Sequence, residues 1–582
     1  MLAPINRDIE AELVSEIDPD RIESHVEKMA GLHRYPDTDD QWEAAEYIVE
    51  TLSADGVDAE IETLDAYVSV PESASVTMTR PVRKEFESIT IAFSASTPPH
   101  GISEELIHVE SVDPDTTDLS GVADRIVFSR GLPTPAAMEA LEAHGAAGAV
   151  FQSPSEEHIH EMTMSPIWGT PSVNDQDRLP DFPVAQLSHA DGEWLADRLA
   201  GDTVEVTIAT EVRTERRELP CPIAKIDGTE SDRYFIVGNH IDSWHEGVTD
   251  NGTAVAASME LARIFAENPP KRGVLVGFWP GHSMGRYAGS ARYADENWLD
   301  LHENGIAYLH LDLNGLDGAD HLWYQHMAEV ADEHLDVLGG DYSSLSVGAD
   351  EQDEDNLLGS TDRPGRNSDQ SFWGAGLTSL LSGARFSPGH EDGGPIGGGW
   401  WWHTPADTID KVDFDLLEEE TQLYAAIVSR FCNSAVLPHD FRATAGEIRT
   451  VIEEIDEAAD GAVEFSPVYD RLDTLDERLD AFTKVVGNVE DGRVASEIED
   501  VQVRLGNLLI PALYMESQEY EHDPAMPHQV LPYLRIAEDL PNRQGPRELF
   551  AQVSVDRGIS KLAHRIDEAT RTVEQFVESQ PD

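Results

Sequence analysis

Apolar residues recur at three- and four-residue steps in AELVSEIDPDRIESHVEKMAGL and DDQWEAAEYIVETLSADG, which predicts helices within 7–53. Gly56 closes the second of these, and VDAEIETLDAYV then alternates as a strand. From about 84 to 215 short β-like runs (SITIAF, RIVFSR, AAGAVFQ, TVEVTIATEV) mix with one helix, TPAAMEALEAHGA, around a Pro-, Ser- and Asp-rich loop at 152–182. That texture reads as a small α/β module inserted into the first domain. From 216 buried strands alternate with helices: YFIVGN (234–239), the helix GTAVAASMELARIFAEN (252–268), GVLVGFW (273–279), IAYLHLDL (306–313) and LTSLLSG (377–383). The alternation predicts an α/β fold with a mixed, mostly parallel sheet sandwiched by helices. After about 415 the chain is helix-patterned to its end, as a bundle or helical hairpins. The expected organisation is a discontinuous α/β domain (1–83 and 216–435), an insert (84–215) and a C-terminal helical domain (436–582).

Composition narrows the partners. The 582 residues are too many for one core, and 112 Asp and Glu against 40 Lys and Arg give a net charge of −72. The acid is spread along the whole chain, which repels nucleic acid and anionic membranes and suits a proteome adapted to high salt. Cys221 and Cys432 make neither a disulfide framework nor a CxxC pair. The start, MLAPINRDIEAELVSE, has no basic segment and no apolar run, and no stretch is long and apolar enough to span a bilayer. A cytoplasmic protein is expected.

Candidate chemistry sits at predicted strand ends. His240 follows the YFIVGN strand, Asp242 is two residues on, and Asp250 falls just before the helix that opens at Gly252. Ligand sites in open α/β sheets lie at the carboxyl ends of strands, and a metal there takes imidazole and carboxylate donors. His240 and Asp250 suit direct ligation, with Asp242 holding the imidazole in place; the bland alternatives are a strand-capping histidine and a helix N-cap. Asp312 ends the IAYLHLDL run, and His403 follows the Gly- and Trp-rich loop GGPIGGGWWW. A turn carboxylate and a buried structural histidine are the alternatives there. Four such residues at one predicted sheet edge favour a metal site.

The sequence resembles the M28 zinc peptidases, the group of bacterial aminopeptidases and glutamate carboxypeptidase. His240-Ile241-Asp242, Asp250, Asp312 and His403-Thr404 match that family's ligand pattern in order, and NSDQSFWGAGLTSL (367–380) is similar to its SD…F strand entry. The resemblance extends to the opening helix and strand. It extends also to a protease-associated domain in the insert (RGLPTPAAMEALEAHGAAGAVFQ, FPVAQLSHADGEWL) and to a dimerisation domain at the C-terminus. It implies one or two Zn2+ ions, with Asp250 bridging when there are two, a small peptide or related amide substrate, and a homodimer formed through the helical domain.

The resemblance breaks at one place. Where the family carries Glu-Glu, as base and ligand, this chain reads GFWPGHSMGRYAGSARYAD, with no carboxylate between Gly273 and Tyr293. Aligned through Trp279, His282 takes the base position and Ser283 the ligand position; aligned from Gly289-Ser290 there is one residue too many. His282 is then either the general base or a metal ligand with His403 and Asp250; in the second case Glu246 or Glu391 would act as base. The resemblance implies that Trp402, just before the late histidine, gives its indole N–H to an oxyanion. Arg363, Arg366 and Arg385 suit a substrate carboxylate or ordinary ion pairs. Three functions follow: an exopeptidase, a silent binding protein with a peptidase-like body, or a hydrolase of non-peptide amides.

Overall fold

The computed structural model describes residues 6–580 apart from 115, 349–364, 366–367, 488, 490–491 and 527–528. Helices α1 (Arg7–Ser15), α2 (Pro19–Ala30) and α3 (Asp39–Ala54) each start at a polar cap: Asn6, Asp18 and Thr38 accept hydrogen bonds from backbone N–H groups of the first turn. The long strand β1 (Asp58–Arg80) leads into the expected insert, 84–215, which holds β2 (Lys84–Phe86), β3 (Ser88–Thr90), β4 (Ile102–His108), β5 (Ile126–Arg130), α4 (Pro135–Ala143), β6 (Gly148–Gln152), β7 (Val184–Leu187) and α5 (His189–Leu199). Strand β8 (Val204–Ile226) returns antiparallel along β1, with Asp58 opposite Lys225 and Arg80 opposite Glu205.

The body follows with β9 (Ser231–His240), α6 (Thr253–Glu267), β10 (Arg272–Trp279), α7 (Ala288–Asn304), β11 (Gly305–His310), β12 (His321–His326), α8 (Ala331–Leu338), β13 (Thr378–Arg385) and α9 (Phe414–Asn433). Strands β10, β9, β11 and β13 run parallel, with β12 antiparallel at one edge and β8 antiparallel to β10 at the other. The sheet is therefore mixed and mostly parallel, as the alternation of strands and helices predicts. The buried strands are apolar on both faces because helices cover both. The C-terminal helices α10 (Phe441–Ala458), α11 (Ser466–Val486), α12 (Gly492–Tyr514) and α13 (Pro546–Ser579) share a core that also takes in Met327 and Trp373 of the body. No helix among the described residues is long and apolar enough to cross a membrane.

The strand that returns to the body is continuous across residue 215. The 215/216 division falls inside β8, where Glu215 pairs with Val68 and Arg216 with Tyr67. This stretch is partly or fully exposed from 211 to 218, so its charged residues erase the alternation that would mark a strand. The N-terminal part of β8 also pairs with β4 and its C-terminal part with β10, so one sheet runs through insert and body. A second link matters more for the site. Ile91, Met138 and Phe151 of the insert share an apolar cluster with Trp244, Leu313, Trp401 and Trp402 of the body.

Candidate metal centre

Strand register brings the candidates to one edge. His240 is the last residue of β9 and lies opposite Trp279, the last residue of β10. His282, three residues past β10, and Asp312, two residues past β11, therefore emerge at the same carboxyl edge. Asp250 is buried in the irregular turn that enters α6. His403 is buried in the turn after the Gly-rich loop.

His240 Nε2 lies 3.0 Å from Asp250 Oδ1 and 3.5 Å from Asp312 Oδ1, and His403 Nε2 lies 3.1 Å from Asp250 Oδ2. The four predicted ligands thus meet around Asp250. Despite these distances, His240 Nε2 and Asp312 Oδ1 have no well-directed hydrogen bond, and both atoms are buried. Buried polar atoms are rarely left so; converging, unsatisfied nitrogen and carboxylate donors suit a cation. The electrostatics agree. Burial disfavours the His240 cation, yet Asp250 and Asp312 hold it well above the ordinary imidazole range. Burial raises the carboxylates too, but the imidazoles hold Asp250 and Asp312 well below theirs. Positive charge is what this cluster favours.

The surrounding groups fix the ligands. His240 Nδ1 donates to the carbonyl of Asp242 at 2.9 Å, which leaves Nε2 to face the carboxylates. The expectation that the Asp242 carboxylate would hold His240 needs correction: that carboxylate lies 4.0 Å from Nδ1 and instead accepts the backbone N–H of His282 at 3.0 and 3.1 Å. The turn from β9 is so tight that the carbonyl reaches the ring first. Asp407 accepts from Thr249 N, Thr249 Oγ1 and Asp250 N, which pins the bridging residue, and burial pushes its carboxyl up to about 7. Arg34, wholly buried, donates to the carbonyls of Ile241, Glu246 and Gly247 and so shapes the loop after His240. His403 is held by the insert: its Nδ1 donates to Glu161 O at 2.8 Å, Glu161 N donates to His403 O at 2.8 Å, and His160 Nδ1 donates to Trp402 O at 2.6 Å.

His282 joins the cluster from β10. One ligand atom each from His240, His282 and Asp312 lie within 4.8 Å of one another. The His282 ring stacks on His240 with centroids 3.9 Å apart and planes at 14°. A nitrogen ligand binds an ion in its ring plane at about 2.0 Å; two nearly parallel planes this far apart share no such point. His282 therefore does not ligate the ion that His240 would hold. Its Nδ1 bonds Asp369 Oδ2 at 2.7 Å, and Asp369 is wholly buried and also accepts from Ser290 Oγ at 2.6 Å. Burial would raise Asp369, but His282 keeps it below the usual carboxylate range. Between His282 and Gly289 the chain makes a tight turn where Arg286 and Tyr287 take positive φ and Tyr287 N donates to His282 O.

Other predicted residues fare differently. The Trp402 indole stacks on His403 with centroids 3.6 Å apart. Arg385 is no free carboxylate receptor: it is buried and spends Nη1 on the carbonyls of Leu313 and Ala384 and Nη2 on that of Asp312. Arg363 and Arg366 lie outside the described residues. Ser283 is buried and gives its carbonyl to Arg286 N. The carbonyl of Glu246 is taken by Arg34, while Glu391 is exposed on the wall of a cleft of about 1560 Å³. That cleft opens between insert and body, and His160, Trp400 and Arg385 lie at it beside the centre. Asp369, Asp407, Arg34 and the His160–Glu161 pair escaped sequence reasoning. Asp369 and Asp407 have local signals, the SD of the NSDQSF segment and the D of HTPADT.

Residues 223–428 match the profile of peptidase family M28. The matched segment, 206 of the 582 residues, is what this chain shares with that family. The M28 segment spans β9 to most of α9 and so contains all four ligand candidates, His282 and Asp369. A probable glutamate carboxypeptidase of Zea mays is 36% identical over 88 residues, 14% of this chain and 12% of that protein's length. The chain thus matches only a small part of this curated relative. The M28 peptidase precursor of Shewanella amazonensis superposes with TM-score 0.55 at 18% identity, covering 74% of this chain and 98% of that one. A zinc aminopeptidase of Bacillus subtilis superposes with TM-score 0.52 at 18% identity, covering 71% of this chain and 95% of that one. At such identities the two superpositions show a shared fold.

Proposed function

We propose that this protein is a metal-dependent exopeptidase of the M28 type, acting on small peptides or related amides with His282 in place of the usual glutamate base. The observation that carries the reading is the meeting of two imidazoles on the two oxygens of Asp250, with Asp312 opposite His240. His240, Asp250, Asp312 and His403 would hold zinc, as one or two ions. Zinc there would polarise the substrate carbonyl and make a water more acidic. Every other part falls to the chain itself. Asp369 accepts the hydrogen bond of His282 Nδ1–H, so Nε2 is the nitrogen free to accept a proton from water and return it to the leaving amine. Asp242 fixes the backbone of His282, and the stacked His240 ring fixes its plane. Trp402, stacked on His403, is the donor to the developing oxyanion. The cleft between insert and body receives the rest of the substrate.

The insert is read as a protease-associated-like domain, and a homodimer would form through the helical domain, where Leu549, Phe550 and Val553 are exposed on the first turns of α13. The second reading, a silent binding protein, is favoured by one observation, the loss of both glutamates after β10. Purified protein loaded with zinc and assayed on aminoacyl and acidic dipeptide substrates separates the two. Turnover that vanishes on chelation supports the peptidase, and bound zinc with no turnover on any substrate supports the binding protein.

A further inference from the structure

We propose that a one-way chain of hydrogen bonds, from Trp279 through Tyr308, His310 and Ser368 to Asp312, positions the Asp312 carboxylate so that Oδ1 alone faces the cation. The inference rests on the metal reading for its purpose but not for its geometry. Trp279 Nε1 lies 3.2 Å from Tyr308 Oη, and Tyr308 Oη lies 2.8 Å from His310 Nδ1. His310 Nε2 makes a short contact with Ser368 Oγ, and Ser368 Oγ donates to Asp312 Oδ2 at 2.8 Å. Trp279, Tyr308 and His310 are wholly buried.

The direction of the chain follows from its ends. An indole N–H only donates, so Tyr308 accepts from Trp279 and turns its own O–H toward His310 Nδ1. His310 must then carry its proton on Nε2 and donate to Ser368. An ionised Asp312 only accepts, so Ser368 turns its O–H toward Oδ2. A proton on His310 Nδ1 would face the phenol and drive the phenol O–H into the apolar core, leaving it unsatisfied. With Oδ2 occupied, Oδ1 is left as the buried oxygen without a partner, 3.5 Å from His240 Nε2. Tyr308 is suited to the task because burial pushes its phenol well above the ordinary value, so it remains a donor. The sequence makes room for the first link: a Cβ on Gly238 of β9 would stand 2.4 Å from Trp279 Nε1 and 2.7 Å from Tyr308 Oη. None of these four residues touches substrate in this account; each is a positioning residue.

The test begins on metal-free protein labelled with 15N-histidine, with the His310 signals assigned by their loss in His310→Gln. The expected spectrum has His310 protonated on Nε2 and bare on Nδ1, moving toward a mixture of tautomers in Tyr308→Phe. A proton on Nδ1 in the unsubstituted protein overturns the chain, whatever the protein does with metal. Zinc affinity by chelator competition is the second readout. Ser368→Ala and Tyr308→Phe should each weaken it roughly 10- to 100-fold, the usual cost of losing a group that orients a ligand. Unchanged affinity in both weakening variants overturns the positioning role. If the tautomer is as expected but the unsubstituted protein binds no zinc, the metal reading fails and the positioning role fails with it, while the bond direction stands.

Discussion

Asp250 has two sides, and they are built differently. On one side His240 and Asp312 project from the ends of neighbouring parallel strands, β9 and β11, and their partners are the carbonyl two residues on and the Ser368 hydroxyl. On the other side His403 sits in an irregular turn and is clamped by the backbone of Glu161, a residue of the insert 242 positions away in sequence. Sheet register fixes the first side. The second depends on the insert staying packed against Trp401 and Trp402. A site built this way can keep its strand-end ligands in place while the loops that border the cleft change.

The largest effect should come from the residue that joins the sides. Asp250→Asn removes the charge that both imidazoles face, and the variant should retain no zinc on gentle purification, as measured by elemental analysis. Zinc retained at the full level would show that the two sides do not share an ion-binding carboxylate. His282→Ala should lower kcat by roughly 10²- to 10⁴-fold, the span of general-base catalysis, with zinc content unchanged. Loss of zinc along with activity would instead make His282 a ligand on the His403 side. Asp369→Asn should cost less, about 10- to 100-fold in kcat with KM held, because it removes only the group that orients His282. An equal rise in KM would point to a misfolded cleft.

A fourth effect concerns the clamp. Burial holds His160 at about 4 in the folded protein against an ordinary 6.5. Below pH 6.5 the unfolded chain takes up a proton that the folded chain refuses. Stability present above pH 6.5 therefore falls as pH drops toward 4, by about 3 kcal/mol when complete. His25 and His439, held at about 4 and about 3 by burial, act in the same direction. In His160→Gln the decline in Tm between pH 7 and 4 should be shallower than in the unsubstituted protein, and an identical decline would show that His160 is not buried neutral.

The same contrast explains what could be read from the chain. His240, Asp250 and Asp312 were legible because an apolar β run announces its own end, and the end of a parallel strand is where ligands gather. His403 was found through its motif and not through periodicity, since no regular element precedes it. Glu161 and His160 carry no local signal: their role is made by backbone groups, and any sequence offers those. Arg385 shows the reverse error. An arginine there suggests a substrate carboxylate or an ordinary ion pair, yet its Nη donors go to backbone carbonyls, those of Asp312 and Leu313 just past β11 and that of Ala384. The strand β8 was cut short for a related reason, because a solvent-facing ribbon has no apolar face to display.

The account turns on His240, Asp250, Asp312 and His403 being the ligands of a cation. A crystal structure of the zinc-loaded protein with anomalous data collected at the zinc edge tests it most directly. The expected result is a peak about 2.0–2.2 Å from His240 Nε2, an Asp250 oxygen and Asp312 Oδ1, with any second peak between Asp250 Oδ2 and His403 Nε2. Zinc found only at other residues, or these four side chains turned apart with no peak among them, would contradict it.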